Sequence, residues 1–332
     1  MFRPAAALLL AALLALVAAP TGSAATTMYA VPGVAFPVQS FADRGTDVLA
    51  IQRLVRARFA EVPSVPQPPP ANGRFASGTA TAVKIFQTSR GLPATGIVDG
   101  ATWAKLAPVL SQGSSGEAVL ALQAELVAKR HASIAIDGVF GATTRTAIIT
   151  FQTHIGRPAT GIVDTATWRG LTWHYELPAF TTTSLCDYSV GNGPANWGSA
   201  EAIDTLEAVG RTVVAAGYGL VAVGDISLEH GGDIPGHETH ERGLDVDVRP
   251  LRIANNQCSI AGTFWSSTGY DRAATRAMIR AFRAASPGHI KLIWFNDPVL
   301  IREGLTSWHS GHDDHVHVRF CEKIHPIAAY DC

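Results

Sequence analysis

The sequence predicts a multidomain chain: two small all-α three-helix modules followed by an α+β domain built around an antiparallel sheet. Three observations carry this. A block of about 65–70 residues occurs twice. Each copy shows helical apolar spacing, and the rest of the chain mixes short alternating strands with amphipathic helices. The chain has 332 residues, enough for several domains with full cores. Its formal net charge of −1 gives no reason to expect nucleic acid or an anionic membrane as partner. Charged residues make up only 16%, beside 31 glycines and 19 prolines, which suits a turn-rich extracellular protein rather than a disordered one.

The first element is a targeting segment, expected at residues 1–24. Arg3, an apolar run from Ala5 to Ala19 and the small residues Gly22, Ser23 and Ala24 follow the order of a secretory signal, with cleavage after Ala24. The run is shorter than the roughly 20 apolar residues a membrane span needs, so no stable membrane insertion is expected after cleavage. The expected location is the periplasm, the cell wall or the extracellular space. Export permits disulfides among Cys186, Cys258, Cys321 and Cys332, and three pairings remain open.

The repeats follow, expected at 38–108 and 109–172. "LPATGIVDGATWAKL" (92–106) returns as "RPATGIVDTATWRGL" (157–171), and "GTDVLAIQRL" (45–54) as "GEAVLALQAE" (116–125). The first copy is six residues longer, within the Pro-rich "VPSVPQPPPANG". Val48, Ile51 and Val55, like Val119, Leu122 and Leu126, form one stripe on each first helix. "NGRF" (72–75) and "DGVF" (137–140) are tight turns with an aromatic anchor. Second helices bring Val83 and Phe86, or Ile148 and Phe151, to the core. Asp99 and Asp164 are placed to cap short third helices carrying Trp103 and Trp168. Over about residues 40–171 these units resemble the bacterial peptidoglycan-binding module, with its "LQ", "DG-F", "A…FQ" and "G-VD-TW" signatures. The resemblance implies peptidoglycan as partner. The first copy departs from the pattern, with "FASGTATA" where the second has "FGATTRTA".

A Thr-rich stretch, "LPAFTTTS" (177–184), ends a linker expected at 173–184, and a last domain is expected over 185–332. There Ile203, Leu206, Val209 and Val213 mark a helix, "LVAVGDIS" a strand, Met278 and Phe282 a second helix, and "IKLIWF" (290–295) a second strand. Nine of the twelve histidines lie between His230 and His325. His131, His154, His174, His289 and His325 read as isolated surface or core residues. "HETH" (237–240) lacks the four-residue spacing of the zinc-protease helix. It reads as a loop before a strand, Gly243 allowing the turn that folds His240 back. In "LDVDV", Leu244, Val246 and Val248 face one way, Asp245, Asp247 and Arg249 the other. In "HVHVRF", His315, His317 and Arg319 share one face. Imidazoles and carboxylates with one open position suit a catalytic zinc rather than a closed structural one.

"GHETHERGLDVDVRP" (236–250) together with "GHDDHVHVRF" (311–320) resembles the penicillin-insensitive murein endopeptidases, within the wider zinc-peptidase group of lysostaphin-type enzymes, D-alanyl-D-alanine peptidases and the hedgehog domain. "VGDIS", "HGG" and "FNDP" are lesser agreements, and Thr239 and Glu241 are departures. The resemblance implies an α+β zinc-peptidase domain holding one zinc through His240, Asp247 and His317. His315 would be the general base, with His237 and His312 close by in the cleft. Asp245, Asp313 and Asp314 either orient imidazoles or are solvated or cap a turn. The implied activity is hydrolysis of peptidoglycan cross-links. A zinc D-alanyl-D-alanine carboxypeptidase and a non-catalytic wall-binding protein with structural zinc are the alternatives.

Overall fold

The computed structural model describes residues 35–60, 69–180, 183–188, 195–322 and 331–332. The expected signal segment, most of the Pro-rich insertion and His325 lie outside these residues. Among the described residues no helix is long and apolar enough to cross a membrane.

Each repeat folds as three helices. The first has α1 (Thr46–Phe59), α2 (Ser77–Ser89) and α3 (Gly100–Leu106); the second has α4 (Glu117–Arg130), α5 (Ala142–His154) and α6 (Thr165–Thr172). The expected stripe residues Val48, Ile51, Val55, Val119, Leu122 and Leu126 are all fully buried, at about 1.5–3 kcal/mol each by area. Asp99 and Asp164 cap α3 and α6 by accepting from Thr102 N at 2.8 Å and Thr167 N at 2.7 Å. Trp103 and Trp168 close the modules, their indole N–H groups donating to the carbonyls of Pro37 and Pro108 at 3.0 and 2.8 Å. The recurrent glutamines brace the turns. Gln52 Oε1 accepts from Asn72 N and Gly73 N at 2.8 and 2.9 Å, and Gln123 Oε1 from Asp137 N and Gly138 N at 3.0 and 2.8 Å. Gln87 and Gln152 do the same for the loops around Gly96 and Gly161. Helix α1 packs on α4, and the two modules share one hydrophobic core.

The second core belongs to a five-stranded sheet in the order β1-β2-β3-β5-β4, made of β1 (Leu185–Asp187), β2 (Val221–Val223), β3 (Asp245–Val248), β4 (Ile290–Trp294) and β5 (Val316–Phe320). The expected antiparallel sheet holds for β2, β3, β5 and β4. The edge strand β1 instead runs parallel to β2. Helix α7 (Ala200–Ala215) connects them, and such a crossover returns the chain in the same direction. Helix α8 (Arg272–Ala285) packs beside α7, and the short α9 (Pro298–Arg302) follows β4. The cysteines pair as Cys186–Cys258 and Cys321–Cys332. The first bond ties the edge strand to the loop after β3, and the second ties the end of β5 to the last residue.

The stretch expected to be a linker is packed along its first part. His174 and Glu176 are buried, and Glu176 exchanges two backbone hydrogen bonds with Gly198, at 2.8 and 2.9 Å. The first module abuts α7 at Gly45, whose φ of +108° and lack of Cβ bring it against the Ala200 carbonyl, 2.6 Å from where a Cβ would sit. Next to it Arg44 donates its backbone N–H to Glu201 at 2.6 Å and pairs with Asp204. Lys129, fully buried, donates to Asp47 at 2.6 Å and faces Glu125 and Glu176 at 3.4 and 3.8 Å. Charges this deep persist only when paired.

Candidate metal centre and active site

Strands β3 and β5 bring two distant motifs into register, with Asp247 opposite His317 and Asp245 opposite Arg319. Their apolar residues Val246, Val248, Val316 and Val318 enter the core. The alternate positions therefore present carboxylates and imidazoles on the other face. The loop carrying His240 folds back over that face through two left-handed residues, His240 at φ +74° and Gly243 at φ +67°. A histidine at positive φ is uncommon. Here it is held, its N–H donating to Asp245 at 3.1 Å and its Nδ1–H to the Ile226 carbonyl at 3.0 Å. That leaves Nε2 of His240 facing Asp247 Oδ2 at 3.3 Å.

His317 meets the same carboxylate from β5, its Nδ1 at 2.9 Å from Asp247 Oδ1, while its Nε2 lies 2.9 Å from Asp245 Oδ1. Asp245 also accepts from Arg319 Nε at 2.7 Å, so it sits behind His317. His315 approaches Asp247 with Nε2 at 3.9 Å, and its Nδ1–H donates to Asp314 at 3.0 Å. His237 neighbours His240, ring centroids 4.7 Å apart, with its Nε2 on Asp225 at 3.0 Å. His312 lies 4.6 Å from the His315 ring. The structure thus brings His237, His240, Asp247, His312, His315 and His317 to one cleft of about 270 Å³, with Asp245 buried beneath.

Two ligand sets share His240 and Asp247. With His237 they offer three ligand atoms within 4.8 Å of one another. With His317 the link is the 2.9 Å contact to Asp247. The donor set of imidazoles and a buried carboxylate suits zinc. The field also suits a cation. Burial alone would raise the Asp247 carboxyl, yet His240, His317 and His315 hold it well below the usual range. Burial opposes charge on His317 too, but Asp245 and Asp247 push its pKa up to about 9. His312 moves the other way, to about 4, mainly through burial.

Residues that sequence reading missed complete the site. Trp294 stacks on His309 and His317, with centroids 4.0 and 4.8 Å away. Asn296 donates to the His309 carbonyl at 2.9 Å and to Asp313 at 3.1 Å, and Trp265 Nε1 donates to Asp313 at 3.0 Å. Asp313 therefore braces the loop, whereas Asp314 orients an imidazole. The "FNDP" motif held the Asn296 signal. Trp294 carried none beyond its place on an alternating strand.

The comparisons agree with this layout. Residues 44–106 and 115–171 match the family described as "Putative peptidoglycan binding domain", and 192–278 match "Penicillin-insensitive murein endopeptidase". The latter match contains His237, His240, Asp245 and Asp247, while His312, His315 and His317 lie beyond it. The chain carries two peptidoglycan-binding modules followed by a domain of the murein endopeptidase family. Among curated proteins it is 29% identical over 170 residues to a penicillin-insensitive murein endopeptidase of Haemophilus influenzae, covering 41% of this chain and 58% of that one. It is also 43% identical over 76 residues to a zinc D-Ala-D-Ala carboxypeptidase of Streptomyces albus G, covering 22% of this chain and 29% of that one. The matched lengths are thus less than two thirds of either relative. Among solved structures, a peptidoglycan-binding protein from Clostridioides difficile in complex with glutamine hydroxamate is 37% identical over 20% of this chain and 40% of that one, with a TM-score of 0.19.

Proposed function

We propose that this chain is an exported zinc-dependent endopeptidase that hydrolyses peptide cross-links of peptidoglycan, its two modules holding it on the polymer. Its parts would be a signal at 1–24, modules at 38–108 and 109–172, a connector at 173–184 and the catalytic domain at 185–332. The observation that carries the reading is the meeting of His240 and His317 on the Asp247 carboxylate, with His315 beside them. Zinc in such a site supplies Lewis acidity and lowers the pKa of water to about 7.

The chain's own residues do the rest. His240 offers Nε2, because its Nδ1–H is spent on Ile226. His317 offers Nδ1, because Asp245 holds Nε2, an outer contact that fixes ring orientation and raises basicity. His315 keeps Nε2 toward the cleft to take and return a proton, while Asp314 fixes the tautomer and steadies the imidazolium. Trp294 forms an aromatic wall beside these rings.

The likeness to a zinc D-Ala-D-Ala carboxypeptidase supports a second reading, in which terminal alanine is released instead. A purely structural zinc has no use for the His315–Asp314 pair. The test is metal-dependent turnover: protein purified with zinc should contain close to one catalytic equivalent, lose activity on chelation and regain it with zinc. Full activity in metal-free protein would refute the proposal.

A further inference from the structure

A second group of imidazoles lies outside the cleft, where the second module, the connector and the catalytic domain meet. His154 ends α5, His174 opens the connector and His230 follows β2. One ligand nitrogen from each lies within 4.8 Å of the others. The ring centroids are 5.6, 5.1 and 5.8 Å apart. Glu229 adds a carboxylate, its Oε1 3.0 Å from His154 Nε2 and 3.6 Å from His174 Nε2, and its Oε2 3.8 Å from His230 Nε2. His154 Nε2 is buried and makes no hydrogen bond. It faces the Glu229 carboxylate at 3.0 Å, a contact that either a proton or a metal ion on the nitrogen can bridge. His174 donates Nδ1–H to the Tyr175 carbonyl at 2.8 Å, which leaves the Nε2 lone pair aimed into the group.

We propose that His154, His174, His230 and Glu229 form a second site for a divalent transition metal of the zinc, nickel and copper class, which staples the second module to the catalytic domain. Metal–nitrogen bonds of about 2.0–2.1 Å in a tetrahedron put ligand atoms roughly 3.3 Å apart. The His154 and His174 contacts to Glu229, at 3.0 and 3.6 Å, bracket that spacing, and the imidazole nitrogens, within 4.8 Å of one another, need to close by up to about 1.5 Å. Three nitrogens and one carboxylate oxygen exclude calcium and magnesium, which take oxygen ligands. All four positions are filled by protein, as in a structural site. Arg130 is the competitor. Its guanidinium contacts Glu229 and lies 3.3 Å from His174 Nε2, so an ion must displace it from both.

The site shares no residue with the catalytic cleft, so its test separates from that of the hydrolase. The full chain, stripped by chelation and titrated calorimetrically with Zn2+, should bind two equivalents. Asp247→Ala should remove one, while His154→Ala and His230→Ala should each remove the other with the circular dichroism spectrum unchanged. Arg130→Gln should keep both and tighten the second by about tenfold, because it removes the competitor. A second equivalent that survives both histidine variants would overturn the proposal. So would wild-type protein whose only equivalent is lost in Asp247→Ala. A wild-type chain holding only the His154-dependent equivalent would support this site while refuting the catalytic one.

Discussion

His315, just before β5, and His317, within it, stand two positions apart yet receive different jobs, because different carboxylates hold them. Asp314 takes Nδ1–H of His315, leaving Nε2 for the cleft, whereas Asp245 takes Nε2 of His317, leaving Nδ1 for Asp247. His317→Ala should therefore lose zinc and activity together, as measured by metal content and turnover. His315→Ala should keep zinc and lose about 10²–10⁴-fold in turnover, the usual range for a lost acid–base group. If the His315 variant loses zinc as readily as the His317 variant, the roles are shared. His237 is the rival third ligand, and zinc retained in His317→Ala but lost in His237→Ala would assign it that place.

At the scale of elements, the helices and the two site strands were legible because their periods are simple. Val48, Ile51 and Val55 or Val316, Val318 and Phe320 declare their faces, and Gly243 declares the turn before β3. The crossover that makes β1 parallel was not legible, because Leu185–Asp187 is only three residues long and its partner is set by α7. The histidine triad outside the cleft was not legible either. His154 and His174 read as isolated, since only packing of the second module on the catalytic domain brings them to His230. The glutamines showed their recurrence but not their task, because the turn that Gln123 braces lies 14 residues further on. Gln123→Ala should strand the buried N–H of Gly138, leave that of the exposed Asp137 to water, and cost about 1–3 kcal/mol in denaturant unfolding of the full chain. A loss below about 0.5 kcal/mol would show that the turn holds without it.

For the whole molecule, the packed connector and the ionic contacts between modules and sheet make one docked body rather than beads on a tether. Truncation before Leu185 is therefore not a neutral operation, since it removes Arg44 and Asp43, which meet Glu201 and His289 at 2.6 and 3.1 Å. The interface also sets a pH dependence. Burial, against the opposing His289 charge, pushes Glu201 up to about 7 and Glu322 up to about 8, while Glu176 rises to about 7 despite Lys129. Groups raised on folding bind protons that the unfolded chain has released, so their stability is present at low pH and lost as pH rises through the folded values. The histidines lowered by burial, His154, His174, His230 and His312, oppose this only near the unfolded value of about 6.5, where the unfolded chain still binds protons, and the opposition fades within about a pH unit above it. Melting temperature should fall from about pH 6.5 to 8, and Glu201→Gln should flatten the slope. A melting temperature that rises over that range would refute the assignment.

On the proposed function, modules and cleft serve one polymer. The most direct measurement is the mass spectrum of purified cross-linked muropeptide dimers before and after incubation with the zinc-loaded full chain. Dimers should be converted to monomers, and His315→Ala should slow the conversion by about 10²–10⁴-fold. Dimers that stay linked, whether untouched or shortened only by a terminal alanine, would contradict that function.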